Sequence, residues 1–208
     1  MAKTVVVSSV SEILNRFEHV ASAIHELYLD RFIWQRTVEL AERNPAVVAN
    51  SFFPAWVGTQ YYRGALVAIR ALTDSAQTGR AHMTDSLVTI LNAVADNADR
   101  ISGIDRVPGM FTSAGKIDAT FVRADERRLV AAADKARVYV NKYIAHFDRV
   151  SRAPLPSIEE INDAIDLIGE MANRYYVALS GIERDFAPRF DFDWMGVFDN
   201  AWRQPSVL

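Results

Sequence analysis

From Ser9 to Arg43 the chain runs without a glycine or a proline, and its apolar residues recur at steps of three and four. Ile13, Phe17, Val20, Ile24 and Leu27 fall on one stripe, and the pattern continues through Phe32, Trp34, Val38 and Leu40. That period belongs to an amphipathic helix. Its start is marked by Ser9-Val10-Ser11-Glu12, which has the form of a capping box. Its end is marked by Asn44-Pro45, because a residue before proline is pushed out of the helical region. A helix of some 35 residues is about 52 Å long, so a bend or break near Asp30 is expected. A rod of this length with one apolar stripe needs other helices lying along it.

The following segments supply them. A second helix is expected from near Ser51, with Pro54 tolerated in the first turn, through Trp56, Tyr61, Leu66, Ile69 and Leu72 to Thr73-Asp74. Its first half is rich in aromatics (Phe52, Phe53, Trp56, Tyr61, Tyr62), which read as core packing or, in part, as a groove or subunit interface. After a loop at Gln77-Thr78-Gly79-Arg80, Thr84 or Asp85 is expected to cap a third helix that ends near Arg100. Ser102–Lys116 is the least regular stretch. A fourth helix runs from Asp118 or Asp125 to Val150 and stops at Ala153-Pro154-Leu155-Pro156. Ser157-Ile158-Glu159-Glu160 is a second capping box, launching a helix to near Phe186. Beyond it Phe190, Trp194, Phe198 and Trp202 recur every four residues, as a short amphipathic helix would place them.

No strand pattern of comparable strength appears outside Thr4–Val7, so the fold class is all-α, a multi-helix bundle of about five to six helices. At 208 residues one sizeable core suffices, and residues 1–208 read as a single helical domain. The chain has no cysteine, which removes disulfides, thiolate metal sites and cysteine nucleophiles. The apolar run at Val5–Val7 is too short for a signal peptide, and Gly64–Ile69 is far short of the roughly 20 residues that span a bilayer. The expectation is a cytoplasmic protein with no membrane partner.

Several chemistries are missing. Neither glycine-rich phosphate loop, no His-Glu-x-x-His and no Gly-x-Ser-x-Gly elbow occurs, and no histidine follows a Glu by three residues as a di-metal bundle would need. His19 and His25 do not share a helix face, and His82 sits in a loop. No metal site and no cofactor are expected.

The net charge of −3 conceals an asymmetry: residues 123–152 carry eight Lys/Arg against four Asp/Glu, and residues 153–200 carry three against ten. The basic segment is suited to an anion such as RNA, or to pairing with the acidic segment that follows it. Within it, Lys135–Arg149 places one titratable histidine among cations and tyrosines. At about 100° per residue, with His146 at 0°, Arg149 lies near −60°, Lys142 near −40°, Lys135 near −20° and Tyr139 near +20°. Ala136, Val140, Tyr143, Ile144 and Phe147 make the opposite, core-facing stripe, and Arg137 lies about 180° away from His146. An imidazole among cationic donors suits metal-free RNA cleavage, since it exchanges protons near neutral pH while the cations hold the phosphate. An ordinary solvated face is the alternative.

Asn141-Lys142-Tyr143-Ile144-Ala145-His146-Phe147-Asp148 resembles the signature helix of HEPN-domain proteins, in particular the abortive-infection U-type branch. Phe52-Phe53 followed by Ile69-Arg70-Ala71-Leu72-Thr73-Asp74, and the capped helix at Ser157, match in order. The resemblance spans roughly residues 25–185, leaving residues 186–208 as a C-terminal aromatic extension. It implies a helical homodimer, of toxin–antitoxin or phage-defence type, acting as a metal-independent endoribonuclease on RNA. It also implies an antitoxin or nucleotidyltransferase partner, with Tyr143 or Tyr139 as an acceptor. Of its site residues, His146 takes the histidine role and Asn141 the polar role. The motif's arginine position falls on Val140, so Lys142 or Arg149 would serve as the phosphate cation, with Lys135 and Tyr139 on the RNA-facing side. The alternative is a non-catalytic dimerisation or protein-interaction module.

Overall fold

The computed structural model describes residues 9–45, 51–75, 85–102, 107–144 and 155–189. The expected strand at Thr4–Val7, the loop at His82 and the aromatic stripe Phe190–Trp202 lie outside the described residues. What is described is an all-α bundle: α1 (Val10–Arg43), α2 (Phe53–Leu72), α3 (Leu87–Asp96), α4 (Ala119–Ala132), α5 (Asp134–Tyr139) with a π-helical turn over Val140–Ile144, and α6 (Ile158–Ser180).

Helix α1 is the axis. Ser9 caps it with both halves of the capping box formed, and Asn44 ends it. It runs unbroken past Asp30, where a break was expected, because no residue in it removes an amide or crowds the preceding turn. Its stripe of Ile13, Phe17, Val20, Ile24 and Leu27 is buried, and it packs on α2, α3 and α6. Helix α3 is apolar on all sides and correspondingly buried from Leu87 through Leu91, between α1 and α4. Its cap is Ser86 rather than Thr84 or Asp85, with Thr89 closing the box, and the helix ends at Asp96, before the expected Arg100.

In the described part of the irregular stretch before α4, Ser102 and Phe111 make isolated antiparallel bridges to Lys116 and Ile117. Helix α6 is capped by Ser157, as expected, but stops at Ser180 and not near Phe186. Gly181 adopts φ +74°, the left-handed conformation that closes a helix C-terminus and that side chains disfavour. Midway along α6, Gly169 lets Tyr28 of α1 approach closely: a Cβ there would meet the tyrosine oxygen at 2.1 Å. Tyr61 of α2 is buried and donates to Asn162 of α6 at 3.1 Å, and burial pushes its hydroxyl up to about 12.

The aromatic start of α2 departs from core packing. Phe52 is 78% exposed, Trp56 48% and Phe53 39%. Only Tyr61 of that group is fully buried, although the first turns of α2 lie beside α1, where Trp34 closes on Gly58.

Candidate functional site: the seam of α2 and the π turn

The segment expected as one helix from Asp118 or Asp125 to Val150 is in fact interrupted twice. Asp118 caps α4 by accepting from the Thr120 amide at 2.8 Å. At Ala133, a buried residue, α4 gives way to α5. At Val140 the helix widens into the π turn, an arrangement that shifts the phase of the residues after it and recurs at functional sites. A uniform rotation of 100° per residue therefore does not hold across the segment.

The π turn divides its residues sharply. Val140 is 4% exposed, while Asn141 beside it is exposed and Lys142, Tyr143 and Ile144 are half-buried. The side chain at the motif's arginine position is thus turned into the core. Tyr139 joins an aromatic ladder: its ring meets Tyr62 of α2 edge-on at 6.0 Å and Tyr143 at 5.0 Å. Tyr62 is itself fixed, donating to the Pro156 carbonyl at 2.8 Å. Lys135 is ion-paired with Glu160 of α6. Hydrogen bonding from Lys135, then from the Ser157 amide, holds the Glu160 carboxyl below the usual carboxylate range. His146 and Arg149 lie outside the described residues. Of the six residues singled out from the sequence, the structure places Asn141 and Lys142 on the turn with Tyr139 just before it, and holds Lys135 against α6.

One residue of this site figured in the sequence only as part of the family-like run Ile69–Asp74, and not as a site residue. Arg70, near the end of α2, donates from Nε to Asn141 Oδ1 at 2.8 Å, and its Nη2 faces Asp74 at 4.0 Å. Its signals in the sequence are membership of that run and the Arg70–Asp74 spacing of one helical turn. Nothing local announces a partner 71 residues away. A guanidinium only donates, so the Asn141 carbonyl faces Arg70 and its amide NH2 is directed outward.

Two hollows flank the seam. One of about 300 Å³ lies between α2, α5 and α6, with Ile69, Ala136 and the Lys135–Glu160 pair at its walls. The other, about 450 Å³ and more open, is lined by Trp34, Tyr62, Arg63, Tyr139 and Leu155. Aromatic faces beside a cation are the elements that stack a nucleobase and hold its phosphate. Among the described residues no cluster of His, Asp and Glu is arranged to hold a metal ion, and no helix is long and apolar enough to cross a membrane.

The model of the protein family HEPN_AbiU2, described as AbiU2, matches residues 8–195. This is wider than the stretch of roughly 25–185 that the motifs carry. No curated protein and no solved structure matches the chain.

Proposed function

The chain belongs to the HEPN AbiU2 family, a HEPN type named for abortive infection, and from that premise we propose that it binds RNA at the seam of α2 and the π turn and cleaves it without metal. The observation that carries this reading is the exposed Asn141, held by an arginine on a π turn five residues before His146. In the proposed reaction the His146 imidazole takes the proton of a ribose 2′-hydroxyl. The 2′-oxygen attacks the adjacent phosphorus, the bond to the 5′-oxygen breaks, and the imidazolium returns its proton to that leaving oxygen, giving a cyclic phosphate and a 5′-hydroxyl. Asn141 and Lys142 donate to the phosphate oxygens as charge develops, and Arg149 adds a further cation. The working unit is a homodimer that brings two such turns together, and an antitoxin or nucleotidyltransferase is the protein partner that the family reading implies.

The test is incubation of the purified protein with total RNA in a metal chelator, beside a His146→Ala variant. Loss of a general acid–base is expected to slow cleavage by about 10²–10⁴-fold. Equal cleavage by both proteins, or none by either, removes the nuclease assignment.

A second reading, a non-catalytic interaction module, is favoured by one specific observation: the arginine position is filled by buried Val140. It requires that the wild-type protein bind no RNA even at low salt.

A further inference from the structure

The buried Val140 leaves the motif without its cation, and the cations near it in sequence do not all remain available. Lys135 is held by Glu160. The structure points instead to α2: we propose that Arg70 is the phosphate-binding cation of this site, with Asn141 and Asp74 positioning its guanidinium. The proposal rests on the RNA reading above, in which Arg70 only holds Asn141, and gives that residue a contact with the phosphate.

Three features carry it. Arg70 is anchored at one edge only, by the 2.8 Å bond from Nε to Asn141 Oδ1. Asp74, at 4.0 Å from Nη2, is too far for a hydrogen bond but near enough to orient the charge. Among the described residues Nη1 and the outer hydrogens of Nη2 have no protein partner, and they form the fork that fits two oxygens of one phosphate. Next, the side chain is 32% exposed. It is open to a ligand, yet sufficiently withdrawn from water for its charge to act more strongly than that of a free surface arginine. A guanidinium already fixed at Nε also gives up less freedom when a phosphate arrives. Finally, the geometry explains the asparagine. Asn141 accepts from Arg70 and presents its own NH2 outward, so an exposed amide and a guanidinium become adjacent donors on one side of the π turn. Arg137, one turn before Asn141 and without an ion pair among the described residues, adds charge from the same helix.

A strut between α2 and the π turn would show the same hydrogen bond, so the experiment must separate a strut from a phosphate ligand. The measurement is binding of a fluorescently labelled single-stranded RNA oligonucleotide of mixed sequence across a salt series. Wild type, Arg70→Gln, Arg70→Lys and Asn141→Ala are compared, with thermal melts run in parallel. Arg70→Gln is expected to weaken binding about tenfold or more. It should also lower the slope of log affinity against log salt by about 0.7, one phosphate contact. Arg70→Lys should recover that slope but not the full affinity, because an ammonium keeps the charge and loses the fork. If Arg70 is only a strut, Arg70→Gln and Asn141→Ala will lower the melting temperature alike and leave the slope at its wild-type value. That result overturns the proposal while the RNA reading stands. A wild-type protein that binds no RNA overturns both.

Discussion

Val140 and Asn141 are neighbours in sequence with opposite surroundings, one in the core and one in water. The burial of Val140 was legible from its place on the apolar stripe. The partner of Asn141 was not, because the Arg70 contact joins residues that only the tertiary fold brings together. The same limit applies to Asp125, a buried carboxylate on α4. It accepts from Arg174 Nη1 at 2.7 Å and from the Tyr175 hydroxyl at 3.1 Å, both on α6. Burial first, and the Asp125 charge second, push the Tyr175 hydroxyl far above its ordinary value. Removing the carboxylate leaves a partly buried guanidinium and a buried hydroxyl without their acceptor. Asp125→Ala is therefore expected to cost about 2–4 kcal/mol, the lower end reflecting the second partner that Arg174 keeps in Glu170. Urea denaturation measures it. A loss below about 0.5 kcal/mol would mean that apolar packing alone holds α4 against α6.

At the scale of elements, what could be read from the sequence was what local chemistry decides. Ser9 and Ser157 are followed three residues later by glutamate and were legible as caps. Ser86 was not, since its reciprocal partner is Thr89, where the pattern asks for Glu or Gln. The interruption falls at buried Ala133, although Ala131-Ala132-Ala133 is among the best helix-forming runs in the chain. The end of α6 did carry a signal, Gly181, which the continuing apolar pattern obscured. Residues following that end are strapped back onto α1. Arg184 Nη2 lies 2.6 Å from Glu18 Oε2, and the Tyr176 hydroxyl donates to Glu18 Oε1 at 3.0 Å. The Arg184 hydrogen bond, outweighing partial burial, holds the Glu18 carboxyl below its ordinary value. A depressed carboxylate contributes stability above its unfolded pKa and loses it as the pH falls through the lower folded one. The melting-temperature difference between wild type and Glu18→Gln should accordingly be constant above about pH 5 and shrink below about pH 4. A difference that does not vary with pH would place the strap's contribution in packing instead.

For the whole molecule, the sequence asymmetry of charge resolves into two uses. Part of the basic segment is neutralised by the protein itself: Lys135 pairs with Glu160, and Arg123 pairs with Asp96 and Glu126. Arg127, Arg128 and Arg137 form no ion pair among the described residues. The all-α class follows from apolar periodicity repeated along the chain, and the family from the local run Asn141–Asp148, which is why both were legible. The site depends on which helices meet, and the contact of Arg70 on α2 with Asn141 came only from the fold. If RNA lies along the seam of α2 and the π turn, ultraviolet crosslinking of a bound single-stranded RNA, with the attached peptides identified by mass spectrometry, will locate it there. Nucleotides are expected on the peptides that carry Tyr62, Arg63 and Arg70 and on those that carry Tyr139, Asn141 and Lys142. Crosslinks confined to other elements, such as α3 or the exposed face of α6, or no crosslink at all, would contradict it.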